Sequence, residues 1–510
     1  MSAKIKNKIF LSSFSVAAIT TSSVTTSCVY PGKFQTIDIT DSNIFFSKNN
    51  WLLTKNTNGH NVMTTYPGGA YIKVAFYGNT IGIDTYCASS FPKRITLSCY
   101  IDGSTKPIVK SLSDALGNIL IFADNLKERT DNLPHTAKIC IQVIKDENTS
   151  QNRFSWPDQI IIQNILIEKD KTLVDPKTVI DPTNPNLKFE HTHNVLVYGD
   201  DYIAVENVGS DFESNARLWE QYDYEYSLVG WTGSYVTKQN GNIYAPQFYD
   251  SSEPLSTKTL WNQFNESSSR LGSDNKFLQK PDLIILNIGA NDALNGTNEE
   301  DIKNVLSEWA TYIMETMYAG DSQPPKILIE MPYLFDSSNY ESYRTSYKEM
   351  YRTLYEEKGW AKTNLFLLDL SNAANLVIYY QSSDKIHPNI WGYDSLVKGM
   401  EIAMVPTNPK NVAFTSDSSS ITVNWSNQMS WYDIESVITS YEMEYKLHID
   451  DNWNNPIEKI PYSPIEQPTY TFSSLASGNY DIRIRAINEL PINQPIYSEY
   501  SVVENIEVPA

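Results

Sequence analysis

Cysteine is scarce. The 510 residues hold four, Cys28, Cys87, Cys99 and Cys140. Cys28 falls at the end of an N-terminal leader. The other three are an odd number, so no disulfide framework is implied. Their spacing matches no zinc-ligand pattern, and each lies in or beside an apparent strand, where a buried thiol is the ordinary outcome. Positive charge is also short: 40 Lys and Arg face 60 Asp and Glu, for a net charge of -20, with no basic cluster. Nucleic acid is excluded as an expected partner, because phosphate binding needs clustered Lys and Arg. The acidity reads as a solvated surface. There is no glycine loop to cradle phosphate, and no metal-spaced cluster. After the leader, no apolar run is long enough to cross a membrane. No metal and no cofactor is expected. Apolar content is not lacking. Hydrophobic residues make up 41% and charged residues 20%, which argues against wholesale disorder. The length has room for two to four domains.

The leader, residues 1–28, has a basic start at Lys4, Lys6 and Lys8 and a moderately apolar stretch from Ile9 to Ile19. Small residues Thr25, Thr26 and Ser27 precede Cys28. This is the layout of a cleaved secretory signal. It also resembles a bacterial lipoprotein signal, although leucine is missing before the cysteine. That resemblance implies lipidation of Cys28 and a secreted chain anchored at the cell-surface membrane. An ordinary cleaved signal is the alternative.

Residues 34–168 read as all-β. Ala70 to Phe76 alternates, Ile81 to Tyr86 follows a Gly78-Asn79-Thr80 turn, and Ile95 to Ile101 ends at Asp102-Gly103, a hairpin signal. Ala137 to Val143 and Gln159 to Ile167 supply later strands, so a β-sandwich is expected. Lys171 to Lys188 reads as a polar linker. Residues 190–405 then change character. Apolar runs at Val195–Val197, Leu283–Ile288, Lys326–Met331 and Leu365–Leu370 alternate with helix-like stretches at Asn298–Met317 and Ser342–Lys358. That alternation predicts an α/β domain with a parallel sheet covered on both faces.

Three loops carry the chemistry. Gly199-Asp200-Asp201 closes the first run, Gly289-Ala290-Asn291-Asp292 follows the second, and Asp384-Lys385-Ile386-His387-Pro388 comes last. In this order they resemble the motif blocks of the SGNH (GDSL-type) hydrolases, and Gly230-Trp231-Thr232-Gly233-Ser234 stands where that family has a further block. The sandwich pattern, Tyr66 to Thr80 and then Tyr100-Ile101-Asp102-Gly103, resembles the N-terminal jelly-roll of carbohydrate esterase family 2. Trp261 falls where those esterases often have a tryptophan. The resemblance implies a three-layer SGNH domain in which Asp384 orients His387 as the base. Gly233 and Asn291 would form the oxyanion hole, although Asn291 could equally cap the segment that follows. O-acetylated carbohydrate is the substrate class it implies.

At one position the sequence departs from the family. Asp201 stands where the family has its serine nucleophile. A carboxylate attacking an ester would give a mixed anhydride, and no serine hydroxyl is offered to His387. Three readings stay open. The cleft could bind an acetylated glycan or a partner without serine-esterase activity. It could be a hydrolase with Asp201 as base or as carboxylate nucleophile. Or the α/β domain could be a spacer that presents the C-terminal module.

Residues 406–510 are again all-β. Ser420 to Trp425 and Ser440 to Lys446 alternate, and Leu475 to Asn488 resembles the signature of a fibronectin type III domain. Tyr480 would form its tyrosine corner and Trp425 would fill its core. Such a module is a contact surface for a protein partner or a spacer. The expected chain is therefore multidomain: β-sandwich jelly-roll, SGNH-type α/β domain, and a second β-sandwich.

Overall fold

The computed structural model describes residues 33–66, 69–86, 95–115, 118–144, 159–204, 213–237, 245–332, 340–370, 388–426, 436–453, 459–464 and 467–510. Cys28, Cys87, Asp384 and His387 lie outside them.

The N-terminal domain is a sandwich of two six-stranded antiparallel sheets. One contains Ile81–Thr85 and Ile160–Glu168, the other Tyr71–Phe76, Ile95–Ile101 and His135–Ile144. Isoleucine, valine and leucine at alternate positions fill the space between, with Ile72, Val74, Ile83, Leu97, Ile139 and Ile165 fully buried. Cys99 and Cys140 are buried, and neither forms a disulfide among the described residues. Asp102 and Gly103 both take positive φ, 51° and 71°. The next strand begins only at Ile108, so the loop is longer than a two-residue hairpin. The segment expected to be a polar linker is instead ordered. Leu173–Val174 adds an antiparallel strand beside Ala75 and Phe76, and Ile180 bridges Lys188. Its two apolar residues extend a sheet whose neighbouring strand offers an open edge.

The α/β domain holds five parallel strands. In chain order they are His193–Gly199, Tyr224–Gly230, Leu283–Asn287, Lys326–Glu330 and Leu365–Leu368. In space they run second, first, third, fourth, fifth. The order reverses between the first and third strands, and in doubly wound sheets the crevice opens at the carboxyl ends of such a pair. Helix Ser214–Glu220 packs with Ile390–Met404, and Glu299–Thr311 packs with Tyr340–Glu357. Ile302, Leu306, Trp309 and Ile313 are buried, as their helical spacing requires. Beyond Thr311 the helix widens into a π-turn through Met317.

The second strand is an edge, and the sandwich covers it. Asn50 donates to the Leu228 carbonyl at 2.8 Å, and Ser227 donates to the Lys48 carbonyl. Within the same seam the Glu225 carboxylate accepts from Lys73 Nζ at 2.8 Å, from the Tyr71 hydroxyl, and from the His191 N–H at 2.7 Å. Burial pushes the Glu225 carboxyl up, but Lys73, His191 and Tyr71 outweigh it and hold it below the usual carboxylate range.

The C-terminal domain is a sandwich of three- and five-stranded sheets. Trp425 is fully buried in its core, and the Tyr480 hydroxyl donates to the Ala476 carbonyl at 2.9 Å, closing the tyrosine corner. This domain docks on the amino edge of the parallel sheet. Tyr224 OH donates to the Leu490 carbonyl at 2.5 Å and Lys326 Nζ to the Glu489 carbonyl at 2.6 Å. Tyr224 and Lys326 each begin a strand, so the carboxyl edge faces away from the module.

Candidate active site

The first strand ends at Gly199, and the chain turns at once into the short helix Asp201–Ala204. That turn lies directly against the strand ends. A Cβ on Gly199 would meet Ile203 Cγ1 at 2.1 Å, and one on Gly230 would meet the Ala204 nitrogen at 2.2 Å. Only glycine at both positions lets the turn sit there. Position 201 is therefore the first helical residue beyond the carboxyl end of the first strand, where doubly wound sheets open their crevice.

Asp200 fixes the turn from within. It is fully buried, and its Oδ2 accepts the N–H groups of Gly289 at 3.3 Å and Ala290 at 3.1 Å. Those N–H groups belong to the loop after the third strand, so one carboxylate ties two motif loops together. Gly289 has φ 123°, and a Cβ there would come 2.2 Å from the Tyr347 hydroxyl. Tyr347 OH donates to the Ile288 carbonyl at 2.5 Å. Burial, then Asp292 and Asp200, hold that phenol well above its usual range.

Asn291 and Asp292 hold the loop after the second strand. Asn291 Nδ2 donates to the Ser234 carbonyl at 3.1 Å. Asp292 accepts the Val236 N–H at 2.7 Å, the Thr237 N–H at 3.3 Å and the Thr237 hydroxyl at 3.0 Å. Burial pushes its carboxyl up to about 6 against the pull of those donors. Gly233, with φ 79°, sits inside the loop so held.

Of the residues singled out from sequence, Gly233 and Asn291 are thus joined through Ser234, and the backbone of Asp201 is tied to the Asn291 loop through Asp200. Trp261 is a core residue, its carbonyl accepting the Tyr198 hydroxyl at 2.5 Å. Three residues that shape the site were not singled out. Asp200 and Asp292 lay inside the motifs, and their carboxyl side chains were the available signal. Tyr347, far along the chain on helix Tyr340–Glu357, had no local signal.

Residues 214–400 match the family model of the GDSL-like lipases/acylhydrolases, a match that begins after the Asp201 turn, and residues 407–499 match the fibronectin type III domain. No curated protein matches the chain. Among solved structures, a family two carbohydrate esterase from Cellvibrio japonicus is 12% identical and superposes with a TM-score of 0.51, over 72% of this chain and 95% of that one. A carbohydrate esterase family 2 enzyme with a carbohydrate-binding domain, from Corynascus thermopiles (Myceliophthora fergusii), is 15% identical with a TM-score of 0.47, over 71% and 98%. The first likeness establishes fold, and its extent exceeds what the α/β domain alone could supply. The chain therefore carries a GDSL-type domain which, with the sandwich before it, has the fold of the family two carbohydrate esterases, and it ends in a fibronectin type III domain.

Proposed function

We propose that the crevice at the carboxyl edge of the parallel sheet binds O-acetylated carbohydrate and does not cleave it by the serine-esterase route. One observation supports this reading: aspartate occupies position 201, in the turn that Asp200 ties to the loop after the third strand. Asp200, Gly289, Asn291 and Asp292 still lock three strand-end loops together. Removing a triad serine typically leaves only about 10³–10⁴ over the uncatalysed rate. The carbohydrate part of the proposal is supported by what the Cellvibrio japonicus protein is named for, and rests on fold. Anchoring through a lipidated Cys28 and protein contact through the C-terminal module belong to the same proposal.

The test is calorimetric titration with acetylated xylo-oligosaccharides and their deacetylated counterparts. Preferential binding of the acetylated form, abolished by Asn291→Ala, is expected. Absence of binding, or equal affinity for both forms, contradicts it.

The sequence also favours a second reading. Asp384 and His387 keep the Asp-x-x-His-Pro spacing, and a pure binding site has no need of an acid-base pair. In that reading Asp201 acts as base toward water beside His387. Turnover of acetyl esters by the wild-type protein separates the two.

A further inference from the structure

The outer face of the larger C-terminal sheet carries a ladder of cations and rings. Strands Ser440–Leu447 and Gly478–Asn488 pair so that Glu442 stands opposite Arg485, Glu444 opposite Arg483, and Lys446 opposite Asp481. Tyr441, Met443, Ile482 and Ile484 fill the core, so by alternation those six side chains point outward. Each cation meets its cross-strand partner. Arg485 Nε donates to Glu442 at 2.6 Å, Arg483 Nε donates to Glu444, and Lys446 Nζ lies 3.3 Å from Asp481. Rings stand between the arginines. Arg483 Cζ lies 4.5 Å from the Trp453 ring centre and 4.2 Å from that of Tyr500. Arg485 Cζ lies 4.8 Å from Tyr500 and 4.1 Å from Tyr497. The order along the face is Trp453, Arg483, Tyr500, Arg485, Tyr497.

This face is open to solvent. Tyr497 is 43% and Val502 49% exposed, and Val502 stands opposite Arg483 on the neighbouring strand. Trp, Tyr and Arg are the residues that carry most of the energy at the centre of protein interfaces. Here the ion pairs already hold the guanidinium groups in place, so little side-chain freedom is left to lose on binding. A pyranose is a poorer fit, because Tyr500 has both guanidinium groups over its ring, and Trp453 has Arg483 and Lys446. Charge selects the kind of protein. Residues 406–510 hold five Lys and Arg against fourteen Asp and Glu. Four of those five, Lys446, Lys459, Arg483 and Arg485, are paired with carboxylates, so the ladder carries no net charge. Beside it in the chain, Asp450, Asp451, Glu499 and Glu504 are exposed and form no ion pair among the described residues. A second copy of this chain, or an anionic membrane, would meet like charge at that rim.

We propose that this face docks a protein partner whose contact surface has an apolar centre ringed by Lys and Arg, a proposal that rests on protein contact through the C-terminal module and adds its face and its chemistry. Selection of displayed random peptides on the full-length protein tests it. Tyr497→Ala removes a ring of the ladder, and Val502→Lys puts a cation at its middle, both at exposed positions. Thr471→Lys puts a cation on the outer face of the other sheet, also exposed. Melting curves check that each variant folds. The expected result is enrichment of peptides that join Lys or Arg to aromatic or aliphatic residues. They are expected to bind Tyr497→Ala and Val502→Lys at least about tenfold more weakly than wild type, and Thr471→Lys equally well. Binding unchanged in either ladder variant, or enriched peptides without a basic bias, overturns the proposal. If binding is lost in Thr471→Lys instead, this face is overturned while contact through the module stands. No enrichment on the wild-type protein overturns both.

Discussion

The Asp200 carboxylate accepts the backbone N–H of Ala290 at 3.1 Å, across the reversal point of the parallel sheet. With the Gly289 N–H at 3.3 Å, this contact makes the turn that carries position 201 and the loop that carries Asn291 one rigid unit. The carboxylate is wholly buried, so both N–H groups depend on it.

Replacing Asp200 by alanine strands two buried N–H groups. The expected cost is about 1–3 kcal/mol for each unsatisfied group, read as a lower midpoint in urea denaturation. Asp200→Asn keeps one acceptor oxygen and is expected to fall between wild type and alanine. Acetylated-glycan affinity is expected to drop in the same order, because the two loops lose their common anchor. An alanine variant with wild-type stability and affinity contradicts the anchoring role.

Glu225 is the corresponding anchor between domains. It is buried with Lys73, and breaking such a pair by removing one partner typically costs about 3–5 kcal/mol. Glu225→Gln is expected to destabilise both the sandwich and the α/β domain together, in one calorimetric transition shifted downward. Two separated transitions in the wild-type protein would show that the seam does not couple them.

Glu213 gives the stability a pH dependence. It caps helix Ser214–Glu220, accepting the Ala216 N–H at 2.8 Å. Asn215 Nδ2 bridges it at 3.4 Å to Glu330, bonded at 2.9 Å. Burial pushes the Glu213 carboxyl up to about 7, with Glu330 adding to the shift and the N–H donors opposing it. The unfolded chain releases this proton near 4.5. Between those values the folded state holds more protons, so this group makes stability fall as pH rises from about 4.5 to about 7. Glu213→Gln retains a cap acceptor and removes the titration. It is expected to flatten the decline by on the order of 1–3 kcal/mol, seen as melting temperatures that converge with wild type at low pH and exceed it near pH 8. Asp292, raised to about 6, leaves a smaller slope of the same sign in both proteins. An unchanged pH profile in Glu213→Gln contradicts the assignment.

Much of this architecture was legible in the chain itself. Period-two alternation in residues such as Ile95 to Ile101 and apolar runs such as Val195 to Val197 mark strands because one or both faces must be buried. Gly199 and Gly289 are readable as motif glycines, and the close approaches of Ile203 and the Tyr347 hydroxyl supply the physical reason. What sequence order does not reveal is long-range partnership. Tyr347 reaches Ile288, and Tyr71 and Lys73 reach Glu225, across intervals that no periodicity encodes. The ordered linker is a similar case. Leu173 and Val174 are too short a run to read as a strand, and only the open edge beside Phe76 makes them one.

The central claim is that the crevice is an esterase framework without its nucleophile, and hydrolysis of a chromogenic acetyl ester by wild type and by Asp201→Ser tests it most directly. Wild type is expected to show no more than the residual of about 10³–10⁴ over the uncatalysed rate that binding and oxyanion contacts leave, and the serine variant to exceed wild type by at least about 10²–10³-fold. Ready turnover by wild type, or a folded serine variant that stays inert, would contradict the account.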